Sequence, residues 1–282
     1  MSIKKYTLVK VLVGMFCILL VLNCTKDDDE FDMDFKFPLK VGNSWNYDYY
    51  VTINYDSMAE ANGCNDSIYY SKQTLDIISY ERISQDSIPV YNLFSTDSKS
   101  DLCYCNSYYN NSGDSLICYG YFKPGDTGLD PKETNKKINF IFAGRKFDNP
   151  KDILSWIGEG LPNQVYSKED SIYYDPVTVF KYPFELGNEW VYRQDYPFRM
   201  TKKVSGRENV ETEAGSFNCW KVEYVYYDSL FENVSYYDHI SEIGMVKRTW
   251  DELAATAIDE YNNILGTFTF KGERILTDYS VK

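Results

Sequence analysis

One histidine, His239, is all that the 282 residues contain, and its isolation removes most catalytic readings at once. Metal centres and nucleophilic triads need partners at defined spacing. A single histidine in a strand-like run before a glycine turn reads as structural. The chain has no Gly-x-Ser-x-Gly, no glycine-rich phosphate cradle and no His-Glu-x-x-His. Basic charge is also short: 29 Lys and Arg stand against 42 Asp and Glu, a net charge of −13. Nucleic acids and anionic lipids are held through basic patches, so this balance argues against both as partners. After the first two dozen residues no apolar run reaches the roughly 20 residues that a bilayer-spanning helix needs. The chain is accordingly read as non-enzymatic, with no catalytic residue, cofactor or metal ligand assigned. Carboxylate pairs of the glycosidase kind are set by space rather than by spacing, and that alternative stays open.

What is present begins with an address. Lys4, Lys5 and Lys10 precede an apolar run over 11–22, the charged-then-apolar layout of an export signal. It ends at Val21-Leu22-Asn23-Cys24, which resembles a bacterial lipobox with Asn23 in place of the usual small residue. The resemblance implies cleavage of a signal peptide over 1–23 and acylation, of the palmitate kind, on Cys24. The next charged run, Lys26-Asp27-Asp28-Asp29-Glu30, resembles the Lys-then-acidic export signal of surface lipoproteins in Bacteroidota-type bacteria. As plain charge it is a solvated, self-repelling tether over 24–36. Together these imply an outer-membrane lipoprotein, anchored through Cys24 and facing the cell exterior.

The folded part opens on a stretch that occurs twice. Residues 37–47 read FPLKVGNSWNY and residues 182–192 read YPFELGNEWVY, with Pro, Gly, Asn, Trp and Tyr at identical places and an offset of 182 − 37 = 145. So long an interval points to a duplicated domain, since solenoid periods run about 20–50 residues. Around both copies the chain alternates in short β-type runs broken by turn residues. The expected fold is mainly β: two tandem curved antiparallel sheets, each half-open and barrel-like. The first spans 37–145 and the second 176–282. Between them, over 146–175, lies a linker with one short helix that Asn149-Pro150 would start.

Five cysteines remain after Cys17 and Cys24: Cys64, Cys103, Cys105, Cys118 and Cys219. In an exported chain these favour disulfides over zinc. A hairpin turning at 110–113 would set Cys105 opposite Cys118 and leave Cys64 to pair with Cys103, although four cysteines allow three connectivities. Cys219 reads as a buried small hydrophobe. Asp-Ser followed by an apolar residue recurs at Ser57, Ser67, Ser87, Ser115, Ser171 and Ser229. It is turn chemistry, and it also resembles the O-glycosylation sequon of exported Bacteroidota proteins. Tyrosine is abundant, 27 residues with several doublets. With Trp45, Trp190 and Trp220 these rings form either core or the lining of a concave binding face.

The second copy carries a family resemblance as well. Tyr182-Pro183 to Trp190, Val204-x-Gly206, Ala214-Gly215-x-Phe217 and Ile243-Gly244-Met245-Val246-Lys247 occur in that order. This is similar to the TapB-like family of bacterial exported and lipoprotein domains, over roughly 176–282. The resemblance implies a strongly curved antiparallel sheet and supplies no catalytic residues. The function expected is binding of a ligand, a glycan or an outer-membrane protein partner. A structural or assembly subunit of an outer-membrane complex is the first alternative, and a glycan-active enzyme the second.

Overall fold

The structure, a computed structural model, describes residues 35–83, 87–98, 100–122, 138–142, 144–148, 153, 176–194, 199–227 and 234–282. The expected signal, tether, Cys24, Ser171 and Ser229 lie outside them. So does the expected helix over the linker, apart from Ile153, which is buried.

Fourteen strands are described and all belong to one antiparallel sheet. The first half contributes β1 (Ser44–Tyr55), β2 (Ser67–Ile83), β3 (Ile88–Asp97), β4 (Ser100–Ser112), β5 (Ser115–Phe122) and β8 (Val177–Lys181). The second contributes β9 (Glu189–Arg193), β10 (Met200–Thr212), β11 (Gly215–Tyr226), β12 (Ser235–Ser241), β13 (Gly244–Ile258) and β14 (Ile264–Ser280). Two short strands, β6 (Asn139–Phe142) and β7 (Arg145–Phe147), lie off the main path, with β6 paired to β13.

The order along the path is β8-β5-β4-β3-β2-β1-β14-β13-β12-β11-β10-β9. It reads as the same six-strand meander used twice. The mainly-β, curved, barrel-like class therefore holds, while the two halves join in a single sheet. The join is the β1–β14 ladder, from Ser44 opposite Ser280 to Tyr55 opposite Phe268. The end strands β8 and β9 lie side by side, which brings the sheet close to a barrel.

The repeated stretch builds the same turn in both halves. Gly42 and Gly187 each sit at φ 88°, a conformation open to glycine. Asn43 donates from Nδ2 to the Pro38 carbonyl at 2.7 Å, and Asn188 does the same to Pro183 at 3.1 Å. The Gly42 amide donates to Ile77 O and the Gly187 amide to Val204 O, both at 2.8 Å. A bulge follows in each receiving strand, after Ile77 and after Val204.

Local details follow from identifiable residues. Residues 57–61 form the helix α1 (Ser57–Ala61), because Asp56 caps it by accepting from the Ala59 amide at 2.8 Å. Gly206 marks a bulge in β10. Gly272 inside β14 is a close-approach site: a Cβ there would meet Tyr50 O and the Trp250 ring.

Candidate functional site

Strand alternation should put apolar side chains inside, yet three strands of the second half place a charge among them. Lys202 lies between Met200 and Val204 on β10, Asp238 between Tyr236 and Ile240 on β12, and Arg248 between Val246 and Trp250 on β13. Register brings them into one row. Lys202 pairs with Tyr224, Asp238 with Arg248, Arg248 with Arg274, and Arg274 with Tyr49 of the first half.

Asp238, fully buried, is the hub of this row. Arg248 grips it with two bonds, Nε to Oδ1 at 2.6 Å and Nη2 to Oδ2 at 3.1 Å. This is the bidentate geometry that makes guanidinium–carboxylate pairs strong. Tyr224 donates its hydroxyl to Asp238 Oδ2 at 2.8 Å. Lys202 Nζ lies 3.6 Å from the same oxygen, beyond a good hydrogen bond. Its ammonium faces the rings of Tyr192 at 4.2 Å, Tyr224 at 4.4 Å and Phe180 at 4.9 Å. Strands β8, β9 and β11 thus supply a cage in which ring faces stand in for water.

Burial, only partly offset by Asp238, pushes the Lys202 ammonium down to about 7. Asp238 responds oppositely: burial alone would raise it, but Arg248 and then Lys202 outweigh that and hold it at about 2. Desolvation similarly pushes the Tyr224 and Tyr192 phenols up, Tyr192 to about 12. Within the row Asp238, Arg248, Tyr224 and Lys202 form one contacting ionic group. Lys202 nonetheless has the near-neutral titration common in reactive lysines. Among the described residues no group of three or more His, Cys, Asp or Glu side chains could hold a metal ion.

Trp45, Trp190 and Trp220 are all buried. Trp45 donates Nε1 to Ile243 O at 2.6 Å, and Trp220 stacks near Phe184. Of the two readings these indoles left open, the structure gives core, and no exposed platform is made of them. His239 pairs through Nε2 with Glu208 at 2.9 Å, on the other face from Asp238. Cys219 is buried against Val210 and Val246, as read.

The expected Cys105–Cys118 bridge is not formed. The hairpin turns two residues later than expected, at Gly113-Asp114, with Ser112 opposite Ser115 and Tyr109 opposite Cys118. Asn111 stays in the strand because its side chain bonds Phe37 O and Tyr182. Cys64 is buried, and the side chain of Cys103 lies outside the described ones. Ser57, Ser67 and Ser87 are exposed, whereas Ser115 is buried with its hydroxyl on Asp114 at 2.9 Å.

A DUF3108-like family model matches residues 198–251, well under half of the chain. That segment holds Lys202, Tyr224, Asp238 and Arg248 together, and it overlaps the region of the TapB-like resemblance, which the match does not support. No curated protein matches. Among solved structures, the chain is similar to a proposed exported protein of YmcC-like fold from Bacteroides fragilis. Identity is 13%, with 88% of this chain and 99% of that one covered at a TM-score of 0.33. It is also similar to a proposed lipoprotein from Parabacteroides distasonis, at 16% identity, 88% and 100% coverage and a TM-score of 0.26. Superpositions that loose carry nothing over from either protein to this chain.

Proposed function

We propose that the chain is a lipid-anchored outer-membrane protein that faces the cell exterior and works by binding a protein partner, without catalysing a reaction. The observation that carries this reading is the end of the sheet remote from the repeated turns. There α1, the start of β2 and the β13–β14 hairpin leave Met58, Ile68, Tyr261 and Ile264 exposed, Tyr261 by 77%. The hairpin and helix are held in place: Asn62 Nδ2 donates to Leu265 O at 2.8 Å, and Thr267 donates its amide and hydroxyl to Asp56. A rigid, mixed aliphatic and aromatic surface suits a protein better than a glycan, because aliphatic side chains offer sugars no stacking face.

Support for the address comes from the lipobox-like run ending at Cys24 and the acidic tether behind it. The chain enters the sheet at Phe35–Phe37, beside the β1 start. β1 then carries it about 40 Å to the remote end. The tether that an anchor at Cys24 implies joins the sheet at the end opposite that surface. The interior row belongs to the scaffold in this reading, since Arg248, Tyr224 and Lys202 all converge on Asp238.

Photo-crosslinking in intact cells tests the proposal. A crosslinking amino acid at position 261 or 264 is expected to trap one discrete protein, and the same amino acid at Lys72, on the side of the sheet, is not. Equal trapping at all three positions, or none, would refute it. A partner trapped at every growth stage and in equal amount would make the protein an assembly subunit.

A further inference from the structure

The two Gly-Asn turns share one more property. The residue before each glycine is an exposed aliphatic: Val41 at 45% and Leu186 at 72%. They are equivalent positions of the two copies, so the duplication presents a matched pair on one rim. Phe35 packs against Phe184 with ring centroids 5.4 Å apart, and the Phe37 amide donates to Tyr182 Oη at 2.9 Å.

We propose that this rim rests on the bilayer, with Val41 and Leu186 dipping into the lipid interface. The inference depends on Cys24 being acylated. Phe35 follows Cys24 by 35 − 24 = 11 positions, a reach of about 40 Å at full extension and about 20 Å as a flexible coil. Only this end of the sheet stays within that reach in both limits. The opposite end, with its own exposed apolar side chains, is a further strand length away. Local charge permits the contact. Lys36, Lys40, Lys181 and Lys282 are exposed on this rim, against Asp114, Glu185, Glu189 and Glu242, a near balance where the whole chain is acidic by 42 to 29. A lipid anchor fixes position and leaves orientation open, so two aliphatic side chains at the same surface would fix orientation. Like charge between the acidic tether and an anionic surface opposes the contact, so a zwitterionic bilayer isolates the apolar contribution.

The test uses the full mature protein in phosphatidylcholine vesicles with brominated acyl chains, which quench fluorophores at acyl depth. An environment-sensitive fluorescent amino acid replaces Val41, Leu186, Met58 or Tyr261, one at a time. The expected result is loss of most emission at 41 and 186, with 58 and 261 unchanged from unbrominated vesicles. With an acyl mass confirmed on Cys24, absence of quenching at 41 and 186 overturns the proposal alone. Equal quenching at all four positions does so too. If the mature chain carries no acyl group, the anchoring reading fails first and the rim proposal falls with it.

Discussion

The backbone amide of Phe37 donates to the hydroxyl of Tyr182 at 2.9 Å, and these are the first residues of the two repeat copies. The same hydroxyl donates to Asn111 Oδ1 at 3.0 Å, while Asn111 Nδ2 donates to Phe37 O at 2.8 Å. Equivalent points of the two halves are therefore tied to one another where β8 and β9 come together. The other junction, β1 with β14, has a full ladder. Replacing Tyr182 with Phe keeps the ring and removes both bonds. A loss of about 1–2 kcal/mol is expected in urea unfolding, with faster amide exchange at Phe37.

Asp238 is the only carboxylate in contact with the Arg248 and Lys202 charges among the described residues. Asp238→Asn would leave two buried cations without a counter-charge, at about 3–5 kcal/mol. Asp238→Asn combined with Lys202→Met should recover part of that loss. Additive losses in the double-mutant cycle would show that the network is not one unit.

Lys202 gives the stability a definite pH dependence. Its folded pKa, about 7, lies below its ordinary value of 10.5. Above pH 7 the unfolded chain binds more protons than the folded one, so stability rises with pH from about 7 towards 10.5. Below pH 7 both states are protonated and the cost of burying the charge is fully present. Lys202→Met should flatten that rise, read as unfolding midpoint against pH. A slope unchanged by the substitution would show that another group is responsible.

Gly244 has φ 112°, and a Cβ on it would stand 3.2 Å from Trp45 Nε1 and 3.4 Å from Phe37. Gly244→Ala should therefore cost about 1–3 kcal/mol, and should disturb the bond from Trp45 to Ile243 O. A red-shifted tryptophan emission would report it.

If Asp-Ser-apolar sites carry glycan, the structure selects among them. Ser57, Ser67 and Ser87 are open to a transferase and Ser115 is not. Glycopeptide mapping of the native protein should find hexose on those three and none on Ser115. Occupancy at Ser115 would mean that modification precedes folding.

Much of this fold was legible because five shared residues at a fixed offset mark a duplication, and because period-two alternation marks strands. The fusion of the halves was not, since pairing Ser44 with Ser280 is a contact between distant residues that no local pattern encodes. The cysteine register failed for a related reason: Asn110-Asn111 looks like a turn, but Asn111 is held in the strand by Phe37 and Tyr182. The ionic row had a signal, a single charge set between apolar neighbours at Lys202, Asp238 and Arg248. Only the register shows that the three meet. The duplication sharpens it. Trp45 pairs with Leu75, whereas its counterpart Trp190 pairs with Lys202, so the second half places a charge where the first has an aliphatic. The exposed remote end had no signal, because exposure of Ile68 and Tyr261 depends on which edges the helix and hairpin leave uncovered.

The central claim is that a membrane-held scaffold presents its remote end to a protein. Co-purification of the tagged mature protein from outer membranes in mild detergent tests this most directly, alongside a variant carrying Met58→Ser, Ile68→Ser, Tyr261→Ser and Ile264→Ser. A stoichiometric partner retained by the natural chain and lost by the equally folded variant is the predicted result. A partner retained by both, or a natural chain that elutes alone, would contradict the account.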